Sequence, residues 1–398
     1  MLIRRGVVLL FFFILRVIAV SQNDTINYID FGDKHGRIDL LYPYFHIVRF
    51  ESKNEINKSR FHNKLFNDDL VKLIDNNSLI VINPLIELGY GYNVYKDKII
   101  NVDKRIYDNV RGVWVRGSFN EKVFFSTTVM ENTSKFPFFK EEYVKKKEVI
   151  PGKASYKQVA DGELYDYGFA SGYFMYIITK NIFIQGGQDK LFIGNGSSSL
   201  VLSENSNNYP FVRLGLDIKN IQYNVIYAKM YDLNLNEPFE SRFHQKYANI
   251  YSLSYKFEKK LNISIFESIL YYSNSVYNIK DGIPLIGYHI LENQINKYFY
   301  LVGGNIVFKN KKNNKLYYMQ YVTNGKWNKG IQVGVKSFNT FNINNLNINL
   351  ETVAKSNNLY GKNQEYMNYN QYLGYPDSAN YNINIDLNYI KHRFVSSF

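Results

Sequence analysis

From about residue 165 to the C-terminal end, apolar and polar positions alternate along this chain with a period of two. In Phe211-Val-Arg-Leu-Gly-Leu-Asp-Ile218 one face carries Val212, Leu214, Leu216 and Ile218, and the other carries Phe211, Arg213, Gly215 and Asp217. Between Tyr251 and Glu258, Tyr251, Leu253, Tyr255 and Phe257 stand against Ser252, Ser254, Lys256 and Glu258. From Tyr381 to Tyr389 every odd position is apolar or aromatic and every even one is polar. Successive side chains of a strand point to opposite faces, so the pattern predicts strands with one apolar and one polar face. Turns rich in Asn and Lys separate them. Residues 310–315 join Ile306–Phe308 to Leu316–Tyr321, 339–345 join Ile331–Val335 to Leu346–Leu350, and Glu258-Lys-Lys260 makes a tight turn. Asn suits such turns because it tolerates positive φ and bonds its own backbone.

The first 164 residues are less regular. Met1-Leu-Ile-Arg-Arg-Gly6 leads into an apolar run, Val7–Val20, which ends at the small residues Ala19 and Ser21. That layout predicts a signal peptide over 1–21, cleaved before Gln22. The run is shorter than the ~20 residues a spanning helix needs. The polar stretch Lys53–Asn77, with Leu65, Leu70, Val71 and Ile74 as a weak apolar face, reads as helical. Residues 79–150 hold short strands and charged loops up to Pro151-Gly152. Nothing after residue 21 is long and apolar enough to cross a membrane as a helix, so any crossing must be by a closed barrel. The predicted fold is therefore all-β: a transmembrane antiparallel β-barrel of roughly 14–18 strands, at ~10 residues per crossing. Its parts are a signal peptide (1–21), an N-terminal periplasmic, helical or plug segment (22–78) and the barrel (79–398). A soluble sandwich or propeller would share the alternation. The 36 Tyr and 29 Phe against 2 Trp favour the barrel, because membrane barrels carry aromatic girdles at both interfaces.

Charge and chemistry refine this picture. The formal net charge is +13, and without Arg4, Arg5 and Arg16 of the signal it stays near +10. For an exported chain this suits acidic glycans or lipopolysaccharide phosphates better than nucleic acid. There is no cysteine, which leaves no disulfide, thiolate ligand or cysteine nucleophile. The six histidines, His35, His46, His62, His244, His289 and His392, lack metal spacing. There is no Gly-x-Ser-x-Gly elbow, and no carboxylate pair is recognisable among Glu131, Glu204, Glu267 and Glu292. No catalytic residue, metal or cofactor is expected. The most unusual stretch runs from Gly186 to Ser203. It lacks a phosphate-cradling Gly-Lys-Ser/Thr, so its glycines are expected to let an inserted loop approach the barrel's inner face.

The ordered pieces Ile82-Asn-Pro84, Val110-Arg-Gly112, Phe124-Phe125, Glu131-Asn132, Pro151-Gly152 and Asp166-Tyr-Gly-Phe-Ala-Ser-Gly-Tyr173 continue into the block Gly187–Ser203. Asn208-Tyr-Pro210, Phe266-Glu-Ser268, Tyr288-His289, Gly330-Ile-Gln-Val-Gly334 and Asn370-Gln371 follow. In this order they resemble the capsule-assembly Wzi family, in the Bacteroidota branch that includes the gliding-motility protein RemB. The resemblance spans about residues 79–392. It implies an outer-membrane barrel of about eighteen strands with a small plug. It also implies a non-catalytic, lectin-like hold on capsular or surface polysaccharide, and a link to gliding. The chain departs from the family pattern at Gly196-Ser-Ser-Ser199 and at Tyr288-His-Ile-Leu-Glu292, where the family carries arginine. The expected polysaccharide-binding residues are Gln188, Asp189, Lys190 and Asn195, with Asp166, Glu204 and His289 behind them. The expected partners are outer-membrane lipid, lipopolysaccharide and surface polysaccharide, without nucleic acid, and the protein is expected to be a monomer. Two other readings stay open: a general porin with a basic lumen, and an outer-membrane hydrolase.

Overall fold

The computed structural model describes residues 69–397 apart from 76, 93–104, 154, 161, 239, 258–259, 273–281, 292–297, 311, 326–327, 344–345, 362–364, 376–380 and 392–393. The expected signal peptide (1–21) and nearly all of the expected segment 22–78 lie outside the described residues. The strands in chain order are β1 (Val71–Asp75), β2 (Ser78–Tyr92), β3 (Arg105–Phe119), β4 (Val123–Lys135), β5 (Lys157–Val159), β6 (Leu164–Thr179) and β7 (Ile182–Asp189). They continue with β8 (Tyr209–Ile218), β9 (Ile221–Leu233), β10 (Phe243–Phe257), β11 (Leu261–Tyr272), β12 (Phe299–Asn310), β13 (Lys315–Thr323), β14 (Lys329–Ser337) and β15 (Leu346–Lys355). The last four are β16 (Met367–Asn368), β17 (Gln371–Tyr372), β18 (Tyr381–Lys391) and β19 (Phe394–Ser397). The helix α1 (Phe138–Lys147) lies between β4 and β5, and the single turn α2 (Tyr288–Leu291) precedes β12.

Seventeen strands join one sheet, and β16 with β17 forms a separate small pair. Apart from the three-residue β5, which adds to one edge of β6, every strand of the sheet pairs antiparallel with its neighbour in sequence. The meander runs on from β9 through β15 to β18 and β19. Short turns join strands at one end, and the long connections, residues 136–163, 190–208, 273–298 and 356–380, gather at the other. Many strands have 12 to 16 residues, beyond the ~9–11 needed to cross a bilayer when tilted.

The two faces are inverted relative to a water-soluble protein. On β8, Val212 and Leu214 are exposed while Arg213 between them is 3% exposed. On β11, Ile263 and Ile265 are exposed while Asn262 and Ser264 are buried. On β13, Tyr317, Met319 and Tyr321 face out, whereas Leu316, Tyr318, Gln320 and Val322 face in. Apolar side chains outside and polar ones inside suit a wall with lipid on one side and a protein-filled lumen on the other. On β18, Tyr381, Ile383 and Ile385 are likewise exposed, in agreement with the sequence reading.

The lumen holds a plug. It is built from residues 190–208 and 356–375, the connections after β7 and after β15. The two segments bond to each other: Ser203 N donates to Leu373 O at 2.6 Å, Asn205 Nδ2 to Gly374 O at 2.9 Å and Tyr360 Oη to Leu200 O at 3.0 Å. Leu200, Val201, Leu202, Leu359, Tyr366 and Leu373 form its buried centre, packed against Phe211, Ile250, Phe266, Leu301, Val322 and Val353 of the wall. This one plug reaches strands from β6 to β18. Asn208 bonds Ala170 O on β6, Tyr369 N bonds Tyr231 O on β9 and Ser197 bonds Asp386 on β18. The strands from β6 to β18 face one compact body, so this stretch of the sheet has curled round it, as a barrel wall does.

Two expectations on the early chain change. Val71–Asp75 is not helical: it is strand β1, with Val71 opposite Ile82 and Asp75 opposite Ser78. The β-branched Val71 and Ile74 suit a strand, and the ladder to β2 outweighs a weak helical periodicity. Among the described residues the sheet thus includes Val71–Asp75, ahead of residue 79; the N-terminal plug expected within 22–78 lies almost wholly outside the described residues, and the plug described here comes from loops of the barrel.

Candidate functional site

The tip of the first plug segment, Ile193 to Leu202, lies against the inner faces of β12 to β15. Asn305 Nδ2 donates to Asn195 Oδ1 at 2.9 Å. Gln320 donates to Ile193 O at 3.0 Å and accepts from Leu200 N at 2.7 Å. Gln332 Nε2 donates to Ser198 O at 2.6 Å, and Ser197 N donates to Glu351 Oε2 at 2.9 Å. Wall amides and a carboxylate thus meet the plug backbone at Ile193, Ser197, Ser198 and Leu200, and Asn305 meets the Asn195 side chain, so these buried polar groups find partners in the wall. Gly196 is required at the point of closest approach: a Cβ there would overlap the Glu351 carboxylate and the Gln332 amide. This is the role the glycine-rich block was expected to play.

The mouth of the plug is basic. Lys153 Nζ sits 3.6 Å and Lys190 Nζ 5.7 Å from the centroid of Phe169, which points inward from β6. Lys190 Nζ donates to Glu204 O at 2.9 Å, and its own amide donates to Asp189 Oδ1 at 2.8 Å. Gln371 ties the neighbouring loop to the plug, accepting from Gly152 N at 2.6 Å and donating to Lys153 O at 2.7 Å. Burial pushes the Lys153 ammonium down to about 8, and the nearby positive Lys190 adds to this. Burial also lowers Lys190, against the opposing pull of Glu204 and Asp189.

The seven expected site residues do not form one group. Asp189, Lys190 and Glu204 meet at the plug mouth, Glu204 through its carbonyl while its side chain is exposed. Asn195 is deep in the plug, where it is held by Asn305. Gln188 and Asp166 are exposed and face the opposite side of the wall, because they pair across the sheet with Gly172 and with Thr133 on the outward register. A strand flips every side chain between adjacent residues, so neighbours in sequence such as Gln188 and Asp189 part company. His289 is buried outside the wall, its ring stacked on Tyr251 and its Nδ1 3.8 Å from Glu267. Lys153, Phe169 and Gln371 complete the mouth. Phe169 and Gln371 lie within the pieces Asp166–Tyr173 and Asn370-Gln371, and Lys153 follows Pro151-Gly152, but nothing in the sequence marked them as a group. Among the described residues no three His, Asp or Glu side chains converge as a metal ion would require.

No family model and no curated protein matches the chain. Several solved structures are similar over most of its length. A triple mutant of the Rh. blastica porin shares 8% identity at a TM-score of 0.38, over 78% of this chain and 90% of that one. Pseudomonas aeruginosa OccK9 shares 8% at 0.39, over 79% and 89%. A BenF-like porin from Pseudomonas fluorescens Pf-5 shares 9% at 0.37, over 79% and 77%. Likeness this low carries no argument about family or activity. The chain's own geometry does: a lipid-facing antiparallel wall of this length, curled round a plug, is an outer-membrane β-barrel.

Proposed function

We propose that this barrel holds surface polysaccharide at the outer membrane without catalysis, as its resemblance to the Wzi family implies. The observation that carries the reading is the plug. Leu200, Val201, Leu202, Leu359, Tyr366 and Leu373 are fully buried across the lumen, and the wall bonds the plug backbone at Ile193, Ser197, Ser198, Leu200 and Tyr369. A channel would leave that cross-section to water. Pieces that carry the resemblance also converge here: the block 187–203, Asn208, Gln332 of the Gly330–Gly334 piece, Gly152 and Gln371. A barrel sealed by its own loops has its mouth and outer loops left for binding. The test pairs two measurements. The purified protein in planar bilayers is expected to conduct little, and cells lacking it are expected to shed surface glycan that the wild type retains. Porin-like conductance together with unchanged glycan would overturn the reading.

A second reading, a diffusion channel, is favoured by one observation. On the β2–β3 side the inward residues Glu87 and Asp108 are half-exposed, as is Lys153 of the mouth. Ions would pass along this side. Substituting Glu87 and Asp108 with Gln and Asn would then shift ion selectivity, whereas a sealed barrel has no selectivity to shift.

A further inference from the structure

Lys153 and Lys190 come from connections on either side of β6–β7, yet both ammonium groups stand over one aromatic ring. Three contacts hold them there. The side chain of Gln371 grips the backbone at Gly152 and Lys153 from the plug. The Glu204 carbonyl takes one proton of Lys190. Gly152 lets Lys190 lie against the backbone next to Lys153: a Cβ on this glycine would stand only 3.1 Å from Lys190 Nζ. The ring face attracts each cation, but it does not cancel their mutual repulsion. Among the described residues neither ammonium has a carboxylate within ion-pair distance. The charges acting on Lys153, besides Lys190, are the carboxylates of Glu87 and Asp108, which favour its protonated form, and Lys140 of α1, which opposes it. Those acting on Lys190 are Glu204 and Asp189. Two half-buried cations held together by backbone and ring contacts form a preorganised place for one negative group.

We propose that Lys153 and Lys190 form an oxyanion subsite at the plug mouth, which takes a carboxylate or phosphate borne by a surface saccharide. The anion would lie between the two ammonium groups and accept a charge-assisted hydrogen bond from each. The saccharide source rests on the function proposed above; the oxyanion chemistry does not. Because Lys153 has its ammonium lowered to about 8, the doubly charged site exists below that pH. Binding favours the protonated form, so affinity is expected to be full at lower pH and to fall as pH rises through about 8.

The experiment is calorimetric titration of the full-length barrel in detergent with three probes: a galacturonate oligomer, glucose 1-phosphate and a neutral malto-oligosaccharide. The two anionic probes are expected to outbind the neutral one, and whichever binds better names the source of the oxyanion. K153Q and K190Q are each expected to weaken anion binding at least tenfold. K153R, whose guanidinium does not titrate in this range, is expected to bind while losing the fall in affinity through about pH 8 that Lys153 sets. The gel shift between boiled and unboiled samples shows that each variant is folded. Anion binding that survives both glutamine substitutions, or an absence of anion binding by the folded wild type, would overturn the subsite. Glycan retention in K153Q and K190Q cells separates the two claims: retention with lost anion binding would leave the polysaccharide role standing without this subsite, and a subsite that binds anions in a protein whose deletion sheds no glycan would do the reverse.

Discussion

Glu267 shows how much a single side chain can depend on its surroundings. It lies on β11 opposite Tyr251 and Val302, in the outward register that also carries Ile263 and Ile265. An ionisable group there would face lipid. Instead it is fully buried, because residues 282–289 fold back over the outside of β9–β11. Gly287 N donates to Glu267 Oε2 at 2.8 Å, Tyr227 Oη donates to Gly282 O at 2.7 Å, and Tyr223 bonds Pro284 O. A hydrogen bond to a charged group contributes roughly 1.5–3 kcal/mol. Glu267→Ala is therefore expected to speed hydrogen exchange of the Gly287 amide by about tenfold or more, leaving exchange in β13 unchanged. Lower on the same face, Ile265→Arg puts a charge into lipid. It is expected to cost about 2–4 kcal/mol near the bilayer midplane, read from urea titration of the folded barrel in vesicles. In the plug, Leu202→Ala removes buried methyl groups from a packed centre. It is expected to destabilise by about 2–5 kcal/mol, read as a lower temperature for loss of the unboiled, fast-migrating gel form.

At the scale of elements, the strands were legible and their partners were not. The alternation at 211–218, 251–258 and 381–389 marks both the strand and its outward face, since a period of two in hydrophobicity is a direct consequence of the pleat. The turn at 310–315 appears where Asn and Lys cluster, and Asn314 there has positive φ. The inserted loop after β7 was legible from its glycines. Its partner, residues 356–375, was not, because it has no periodicity and its meaning comes from contacts about 160 residues away, such as Tyr360 to Leu200. The strap over β9–β11 was hidden for the same reason. Gly196→Val tests the plug as an element: its side chain would collide with Glu351 and Gln332, and bilayer conductance is expected to rise from near zero as the tip is displaced.

At the scale of the whole molecule, the described residues form sixteen antiparallel strands in a meander, which leave their apolar face to lipid and, from β6 to β18, bury their polar inner face on a plug made from the same chain. The barrel is expected to stay with carbonate-washed membranes and to migrate faster unboiled than boiled; a protein washed free without a gel shift would argue against a membrane barrel. The sequence by itself determined that the chain is β-structured, exposes one apolar face and carries a glycine-dependent insertion, because these follow from nearest-neighbour geometry and composition. Only the tertiary structure decided what fills the lumen and which strands the plug touches. It set Lys153 beside Lys190, and it sent Gln188, Asp166 and His289 away from Asp189 and Lys190. Strand parity separates neighbours in sequence while curvature joins residues far apart, and neither can be read before the sheet has closed round its plug.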